Sequence, residues 1–401
     1  HPEIPVLTGG LEASLRRFAH YDYWKDEVMP SILLESKADI LMYGMGEHSV
    51  VELATRLRNG ENIKGITDVR GTCYLTEPVN TPFGAVQCPS FEQVTENKTL
   101  YAKATKTQYD NQDEIYGKTI IQRQGNMMLV QNPPATSLTT EELDLVYSLP
   151  YMRDYHPIYE KDGGVPGIEE VKFSITHNRG CFGFCNFCSI ALHQGRRIQT
   201  RSEESVIEEA YKLTKMKDFK GYIHDVGGPT ANFRFPSCEK QLTSGLCKGK
   251  KCLAPEPCKN LEVDHTEYLD MLRKLRAIKG VKKVFIRSGI RYDYLIEDRD
   301  DQFMQELIEH HVSGQLKVAP EHCSSVVLDK MGKPHIEAYK RFQKRFYEIT
   351  KKKDKEQYLV PYLMSSHPGS ELKDAIELAV FLKENNIRPE QVQDFYPTPG
   401  T

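Results

Sequence analysis

The sequence predicts an α/β protein: a partial (β/α)6 barrel preceded by an incomplete, Rossmann-like α/β region. Three observations carry this. Strand-like runs recur at 171–176, 221–226, 283–288, 314–319, 358–364 and 391–396, separated by amphipathic stretches at 203–217, 265–279, 300–311, 335–351 and 370–385. Two strand–glycine–helix units open the chain. Three cysteines, Cys181, Cys185 and Cys188, stand directly after the first of the six later strands. Strands alternating with helices imply a parallel sheet with right-handed crossovers. Six units fall short of the eight that close a TIM barrel, so the barrel is open, with its functional residues just beyond the strands.

The elements follow in order. Residues 4–8 read as a short strand entering Gly9-Gly10, followed by a helix over 11–18. A second strand at 39–43 enters Gly44-Met45-Gly46-Glu47 and a helix over about 48–58. That Gly-x-Gly lacks the third glycine of the dinucleotide fingerprint, so nucleotide binding is not expected there. Residues 119–131 form a hairpin around Gln124-Gly125-Asn126, and Thr140 with Glu141 and Glu142 starts a helix. Gly163-Gly164-Val165-Pro166 marks a boundary near 165. The expected domains are a partial Rossmann-like region at 1–60, a connecting α+β region at 61–165, and the barrel at 166–401 with a Cys-rich insert at 231–261. In the helix at 265–279, Tyr268, Leu272, Leu275 and Ile278 share one face, and Asp264 with Glu267 forms a capping pair. The chain has no initiator Met and ends on a Pro-Gly-Thr turn, as a fragment would.

Composition narrows the function. In 401 residues, 27% are charged and the net charge is −3, so the molecule as a whole does not steer toward nucleic acid. No apolar run of about 18 residues predicts a membrane span, and the amino terminus does not resemble a signal peptide. Seven of the ten cysteines fall in two clusters, 181–188 and 238–258. Clustered thiols in a large chain read as metal ligands in a reducing cytosol rather than a disulfide framework, which predicts a cytoplasmic protein.

Cys181-x3-Cys185-x2-Cys188 is the most informative pattern. Fully ligated cubane iron–sulfur clusters use four cysteines. Three leave one iron open, and an open position distinguishes catalytic from structural metal sites. Structural zinc is the alternative, although it normally takes four ligands. The second cluster, Cys238-x8-Cys247-x4-Cys252-x5-Cys258, lies in a Lys- and Pro-rich segment that hydrophobic burial alone could hardly fold. It suits a closed zinc site or an auxiliary iron–sulfur cluster, with free or disulfide-forming thiols as the alternative. The later strand ends carry Gly227-Gly228-Pro229-Thr230, Ser288-Gly289-Ile290-Arg291, Glu321-His322-Cys323 and Ser366-His367-Pro368. The two histidines read as hydrogen-bonding loop residues and Cys323 as a buried, inert thiol.

Cys-x3-Cys-x2-Cys after the first strand of a six-unit barrel resembles the radical S-adenosylmethionine superfamily. Gly-Gly-Leu-Glu-Ala-Ser-Leu-Arg-Arg from Gly9, Tyr-Gly-Met-Gly-Glu from Tyr43 and the Cys-rich insert resemble its YgiQ-type subgroup. The resemblance implies a 4Fe-4S cluster on Cys181, Cys185 and Cys188, with S-adenosylmethionine bound at the open iron and cleaved reductively to a 5′-deoxyadenosyl radical. It implies that Phe187 lies against the adenine. Gly227, Gly228 and Thr230 would hold the methionine ammonium, Pro229 standing where the superfamily often has Glu. Ser288 and Arg291 would meet the ribose hydroxyls and the methionine carboxylate, the latter suited to the arginine fork. Glu321 completes the expected cofactor contacts. A reductant such as flavodoxin or ferredoxin is implied, and the substrate is unknown. The preceding sheet resembles part of a cobalamin-binding domain, but no Asp-x-His-x-x-Gly motif is present. From strand four onward the chain looks like radical methylthiotransferases, so transfer of sulfur to RNA or protein is one alternative. An iron–sulfur electron-transfer or scaffold protein is a second. A metal-stabilised nucleic-acid-binding module, prompted by Lys248, Lys250 and Lys251, is a third.

Overall fold

The hairpin predicted around Gly125 is the middle of the amino-terminal sheet. Strands Ile120–Gln124 and Met127–Gln131 pair antiparallel, with Gln124 opposite Met127. This computed structural model describes residues 3–389 and 392–401. Met127–Gln131 also pairs with Thr72–Thr76, which in turn pairs antiparallel with Ile40–Met42. Parallel edge strands complete the sheet, Leu7–Thr8 on Ile40–Met42 and Val86–Gln87 on Ile120–Gln124. The six-stranded sheet therefore runs across residue 60, joining strands of the Rossmann-like and connecting segments. Both strand–glycine–helix units form, with helices Gly10–Leu15 and Glu47–Arg58. Thr139 caps helix Thr140–Ser148 through a capping box with Glu142.

Among the described residues the ladders between the predicted barrel strands are parallel, while Asn178–Arg179 and Gln199–Thr200 form a short antiparallel ladder around the cysteine loop. Ser174–Thr176 pairs with Asp225–Gly227, Tyr222–Ile223 with Lys283–Val284, and Gln315–Glu321 with Tyr358–Ser365, which also pairs with Val392–Asp394. Residue 391, the start of the last predicted strand, lies outside the described residues. The first strand is shorter than predicted because Ile168–Val171 turns helical. The second breaks at His224, whose N–H donates to the Phe173 carbonyl. Among the described residues no ladder joins the third strand to the fourth, so the sheet is not continuous.

Helices Glu203–Thr214, Thr266–Ala277 and Ile336–Lys352 cover the barrel with apolar faces. Tyr268, Leu272, Leu275 and Ile278 are all buried, as their spacing predicts. The capping pair differs. Asp264 accepts from the Thr266 N–H, but Glu267 is drawn away by Arg234, whose buried guanidinium needs a carboxylate more than the helix end does. The helix predicted over 300–311 splits into an α segment, Gln302–Glu306, and a π-turn, Leu307–His311. That turn buries His311 and lets its Nδ1–H donate to the Val284 carbonyl at 2.8 Å.

The amino-terminal sheet docks beside the cysteine loop. Glu47 pairs with Arg179 and Glu114 with Arg197, on either side of the three cysteines. The Leu138 N–H donates to Gln199 and the Ser202 N–H to Asp144. No helix among the described residues is long and apolar enough to cross a membrane.

Candidate active site

The first barrel strand delivers the chain to Asn178-Arg179-Gly180 and then to the loop carrying Cys181, Cys185 and Cys188. The loop is held at several points. The Cys181 N–H donates to the Gly195 carbonyl at 3.1 Å, and the Cys188 N–H to the Cys185 carbonyl at 3.1 Å. Asn186 clamps the loop to the helix Ser325–Met331, its backbone N–H on Met331 O and its side-chain amide on Lys330 O, both at 2.7 Å. Phe182 stacks on Phe233 at 3.7 Å, and Phe184 on Tyr109 at 4.5 Å. Phe184 takes a positive φ of 48°, which turns the loop between the first two cysteines.

Arg291, from beyond the third strand, reaches into this loop. Its fork is bidentate on Asp293, at 2.8 and 2.5 Å, and its remaining terminal nitrogen stands 3.5 Å from Cys185 Sγ. The Asn232 side chain accepts from the Arg291 N–H at 2.9 Å. A Cβ on Gly183 would collide with the guanidinium, so that position admits only glycine if Arg291 is to stay. The fork expected to receive the methionine carboxylate is thus occupied by Asp293, and the free donor faces a cysteine.

The glycine pair has a packing reason at each position. A Cβ on Gly227 would strike Ser288 Oγ, and one on Gly228 would strike Asn178 Oδ1. Ser288 Oγ donates to Asp225, whose other carboxylate oxygen accepts from the N–H groups of Arg287 and Ser288 at 2.7 and 3.0 Å. Thr230 is buried, with its hydroxyl 3.6 Å from Cys181 Sγ. Phe187 meets the His367 ring edge-on at 6.1 Å, and His367 meets Phe395 at 5.2 Å, a line of rings across the ends of strands one, five and six.

Glu321 is buried at a positive φ of 68°, and burial raises its carboxyl above the ordinary range. Lys333 stands 4.0 Å away and donates to the Ala319 carbonyl at 2.6 Å. Cys323 is buried and burial pushes its thiol up to about 11, matching the inert thiol expected from the sequence. Burial also pushes Cys188 up to about 11, with the neighbouring Cys185 and Cys181 adding to the effect.

All ten cysteines are free. Among the described residues no group of three His, Cys, Asp or Glu side chains is drawn into metal-ligating geometry. The fit of the three-cysteine loop to a cluster therefore rests on its donors and surroundings. Three thiols share one short loop, a glycine makes room for a guanidinium, and that guanidinium points at a sulfur. Hydrogen bonds and charge beside the sulfurs are what tune iron–sulfur centres. In the insert, Cys252 lies 3.1 Å from Ser237 Oγ, and Cys247 lies 3.6 Å from Lys240 Nζ. The Cys258 N–H donates to the Cys252 carbonyl at 2.8 Å.

Residues 1–174 match the family described as "Radical SAM N-terminal". A UPF0313 protein of Clostridium botulinum (strain ATCC 19397 / Type A) is 58% identical over 399 residues, covering 100% of this chain and 62% of the relative. Over residues 1–174 the chain is thus similar to a radical S-adenosylmethionine family, and along its whole length to a UPF0313 protein. A UPF0313 protein of Clostridium perfringens (strain ATCC 13124) is 56% identical over 402 residues, covering 100% of the chain and 61% of that protein. The chain thus spans less than two thirds of the length of these curated relatives. Two solved structures share the fold. One is the radical S-adenosylmethionine methyltransferase TsrM from Kitasatospora setae with cobalamin and a 4Fe-4S cluster bound, at TM-score 0.51 and 14% identity, over 97% of this chain and 55% of that one. The other is the cobalamin-dependent S-adenosylmethionine radical enzyme OxsB, at TM-score 0.51 and 11% identity, over 98% and 41%.

Several residues around the three-cysteine loop were not legible as such from sequence. Asp293 lies two residues after Arg291, a spacing that alone suggests nothing. Asp225, just before the glycine pair, was available as a strand-end carboxylate. Asn232, Lys333 and Lys251 come to the site only through the fold. Lys251 donates to the Phe184 carbonyl, and burial pushes its ammonium down to about 8.

Proposed function

We propose that this chain is the core of a radical S-adenosylmethionine enzyme, with Cys181, Cys185 and Cys188 as the three protein ligands of a 4Fe-4S cluster. The observation that carries the reading is the Arg291 guanidinium set 3.5 Å from Cys185 Sγ inside the three-cysteine loop, at the carboxyl ends of the barrel strands. A cluster bound there would pass an electron to the sulfonium of S-adenosylmethionine, whose carbon–sulfur bond breaks to methionine and a 5′-deoxyadenosyl radical.

This chain's own residues bind and orient. Arg291, held by Asp293 and Asn232, sets a fixed positive charge beside the sulfurs. Phe187 and His367 offer an apolar wall for the adenine. Ser288, with its proton committed to Asp225, keeps oxygen lone pairs for the ribose hydroxyls. Thr230 and the carbonyls of the glycine turn face the ammonium, a role the absent glutamate at Pro229 leaves to neutral acceptors. Glu321, kept toward its neutral form by burial, is a further contact. The closed loop and stacked rings exclude water from the radical. The four insert cysteines, Cys238, Cys247, Cys252 and Cys258, hold a second metal, zinc or an auxiliary cluster. The protein is cytoplasmic, takes its electron from a soluble carrier, and acts on a substrate that these residues do not name.

The test is spectroscopic. Full-length protein is reconstituted anaerobically, reduced, and mixed with S-adenosylmethionine labelled with 15N at the amino group and 17O at the carboxylate. Hyperfine coupling of both labels to the reduced cluster supports the reading. A cluster whose signal neither label perturbs refutes it.

A further inference from the structure

The Cys-rich insert is a basic stretch in a chain that is slightly acidic as a whole. Residues 238–259 contain five lysines, Lys240, Lys248, Lys250, Lys251 and Lys259, against two acids, Glu239 and Glu256, in a chain of net charge −3. Lys248, Lys250 and Lys259 are exposed. Among the described residues no ion pair engages these three or Lys251. A basic face of this kind steers an oppositely charged partner and sets its association rate.

The cluster of charge lies on the cysteine loop itself. Lys251 donates to the Phe184 carbonyl and stands 4.9 Å above the Phe184 ring, with the Arg196 guanidinium 4.3 Å from the same ring. Phe184 falls between Cys181 and Cys185. A cleft of about 230 Å³ opens from this point, lined by Tyr116, Phe184, Arg196, Lys248, Lys250 and Asp110, whose carboxylate is paired with Lys106. The base of the patch is anchored to the amino-terminal unit, where Tyr116 Oη donates to Leu246 O at 2.9 Å and the Leu246 N–H donates to Asp113 at 2.8 Å. The patch is thus a built face one residue deep over the loop.

We propose that this basic face is the docking surface for the electron donor, a small acidic one-electron carrier protein. The inference rests on the radical reading of the three-cysteine site. One electron leaves the reduced carrier, which is oxidised, and enters the three-cysteine centre, which is reduced; no atom is transferred. A carrier fits better than a nucleic acid because the aromatic rings here are already used. Tyr109 is covered by Phe184 and Tyr116 by Lys248, at 4.4 Å, so neither is free to stack a base.

The experiment compares full-length, cluster-loaded wild type with Lys248→Glu/Lys250→Glu and with a control pair on a distant helix end, Lys351→Glu/Lys352→Glu. Binding of flavodoxin and of ferredoxin is titrated. Reduction of the cluster by each reduced carrier and by dithionite is followed by stopped-flow absorbance. The expected result is a loss of about tenfold or more in carrier-driven reduction and a matching weakening of binding at low salt for the insert pair alone. Dithionite reduction stays unchanged, and the wild-type carrier rate falls as salt rises. A milder pair, Lys248→Gln/Lys250→Gln, gives a smaller loss in the same direction. Carrier-driven reduction that is unaffected by the insert substitutions overturns the proposal, as does equal loss in the control pair, or no carrier reducing the wild type. Weakened binding of single-stranded RNA with intact carrier reduction also overturns it. Failure of dithionite-reduced wild type to cleave S-adenosylmethionine instead strikes the radical reading.

Discussion

Arg291 spends two of its nitrogens on Asp293, at 2.8 and 2.5 Å, and turns the third toward Cys185 Sγ at 3.5 Å. The arginine that the sequence offers to a cofactor carboxylate is therefore first a fixed neighbour of Cys185. Asp293 is buried, and the guanidinium beside it holds its carboxyl below the ordinary range against the opposing effect of burial. Removing one member of a buried pair leaves the other charge unpaired and typically destabilises by about 3–5 kcal/mol. Asp293→Ala should lower stability by that order in denaturant titration and shift the midpoint potential of the reconstituted cluster. Arg291→Lys, which keeps the charge but not the fork, should fold better and still shift the potential. An unchanged potential in both variants would remove Arg291 from the site.

A second prediction concerns the glycine pair. Asn178 donates to Thr230 O at 3.0 Å and also to Phe233 O, with its own carbonyl oxygen against Gly228. Gly228→Ala pushes Asn178 off these carbonyls and should destabilise the protein by roughly 1–3 kcal/mol, as overpacking does. The double variant Gly228→Ala/Asn178→Ala should recover part of that loss. No recovery in thermal denaturation would mean that the turn, not the neighbour, demands glycine.

Acid should weaken the fold through two buried histidines. Burial pushes His177 down to about 3 and His311 down to about 4, from an ordinary 6.5. Below about pH 6.5 the unfolded chain takes up protons that the folded chain refuses until those lower values. Stability is thus fully present above pH 6.5 and falls as pH drops toward 4, by about 1.4 kcal/mol per unit for each histidine. His311→Gln, which can still donate to Val284 O, should reduce the slope of unfolding free energy against pH by about half between pH 6 and 4.5. An unchanged slope would place the acid sensitivity elsewhere.

The insert cysteines carry a separate prediction. If Cys238, Cys247, Cys252 and Cys258 hold a metal, Cys252→Ser in otherwise intact protein should lose one zinc, or the iron of one cluster, while the signal of the three-cysteine cluster persists. Metal content equal to wild type across variants of all four would remove the second site.

Much of this fold was legible because its signals are local. The hairpin at Gly125, the helix faces at Tyr268 and Leu272, and the cysteine loop after the first barrel strand follow from periodicity and spacing. The single amino-terminal sheet was not, because nothing local tells Thr72–Thr76 to pair with Ile40–Met42. At the site, the cysteines and strand ends were legible as residue types. The partners Asp293, Asp225, Lys333 and Lys251 were not, because each acts across the fold, and the capping role expected of Glu267 gave way to the buried charge of Arg234.

The most direct measurement is product analysis. Full-length protein carrying the reconstituted cluster is incubated anaerobically with dithionite and S-adenosylmethionine, beside Cys181→Ala, Cys185→Ala and Cys188→Ala. Wild type should form 5′-deoxyadenosine and methionine in equal amounts, and each cysteine variant should form none. Cluster-loaded wild type that forms no 5′-deoxyadenosine, or cysteine variants that form as much as wild type, would contradict the assignment.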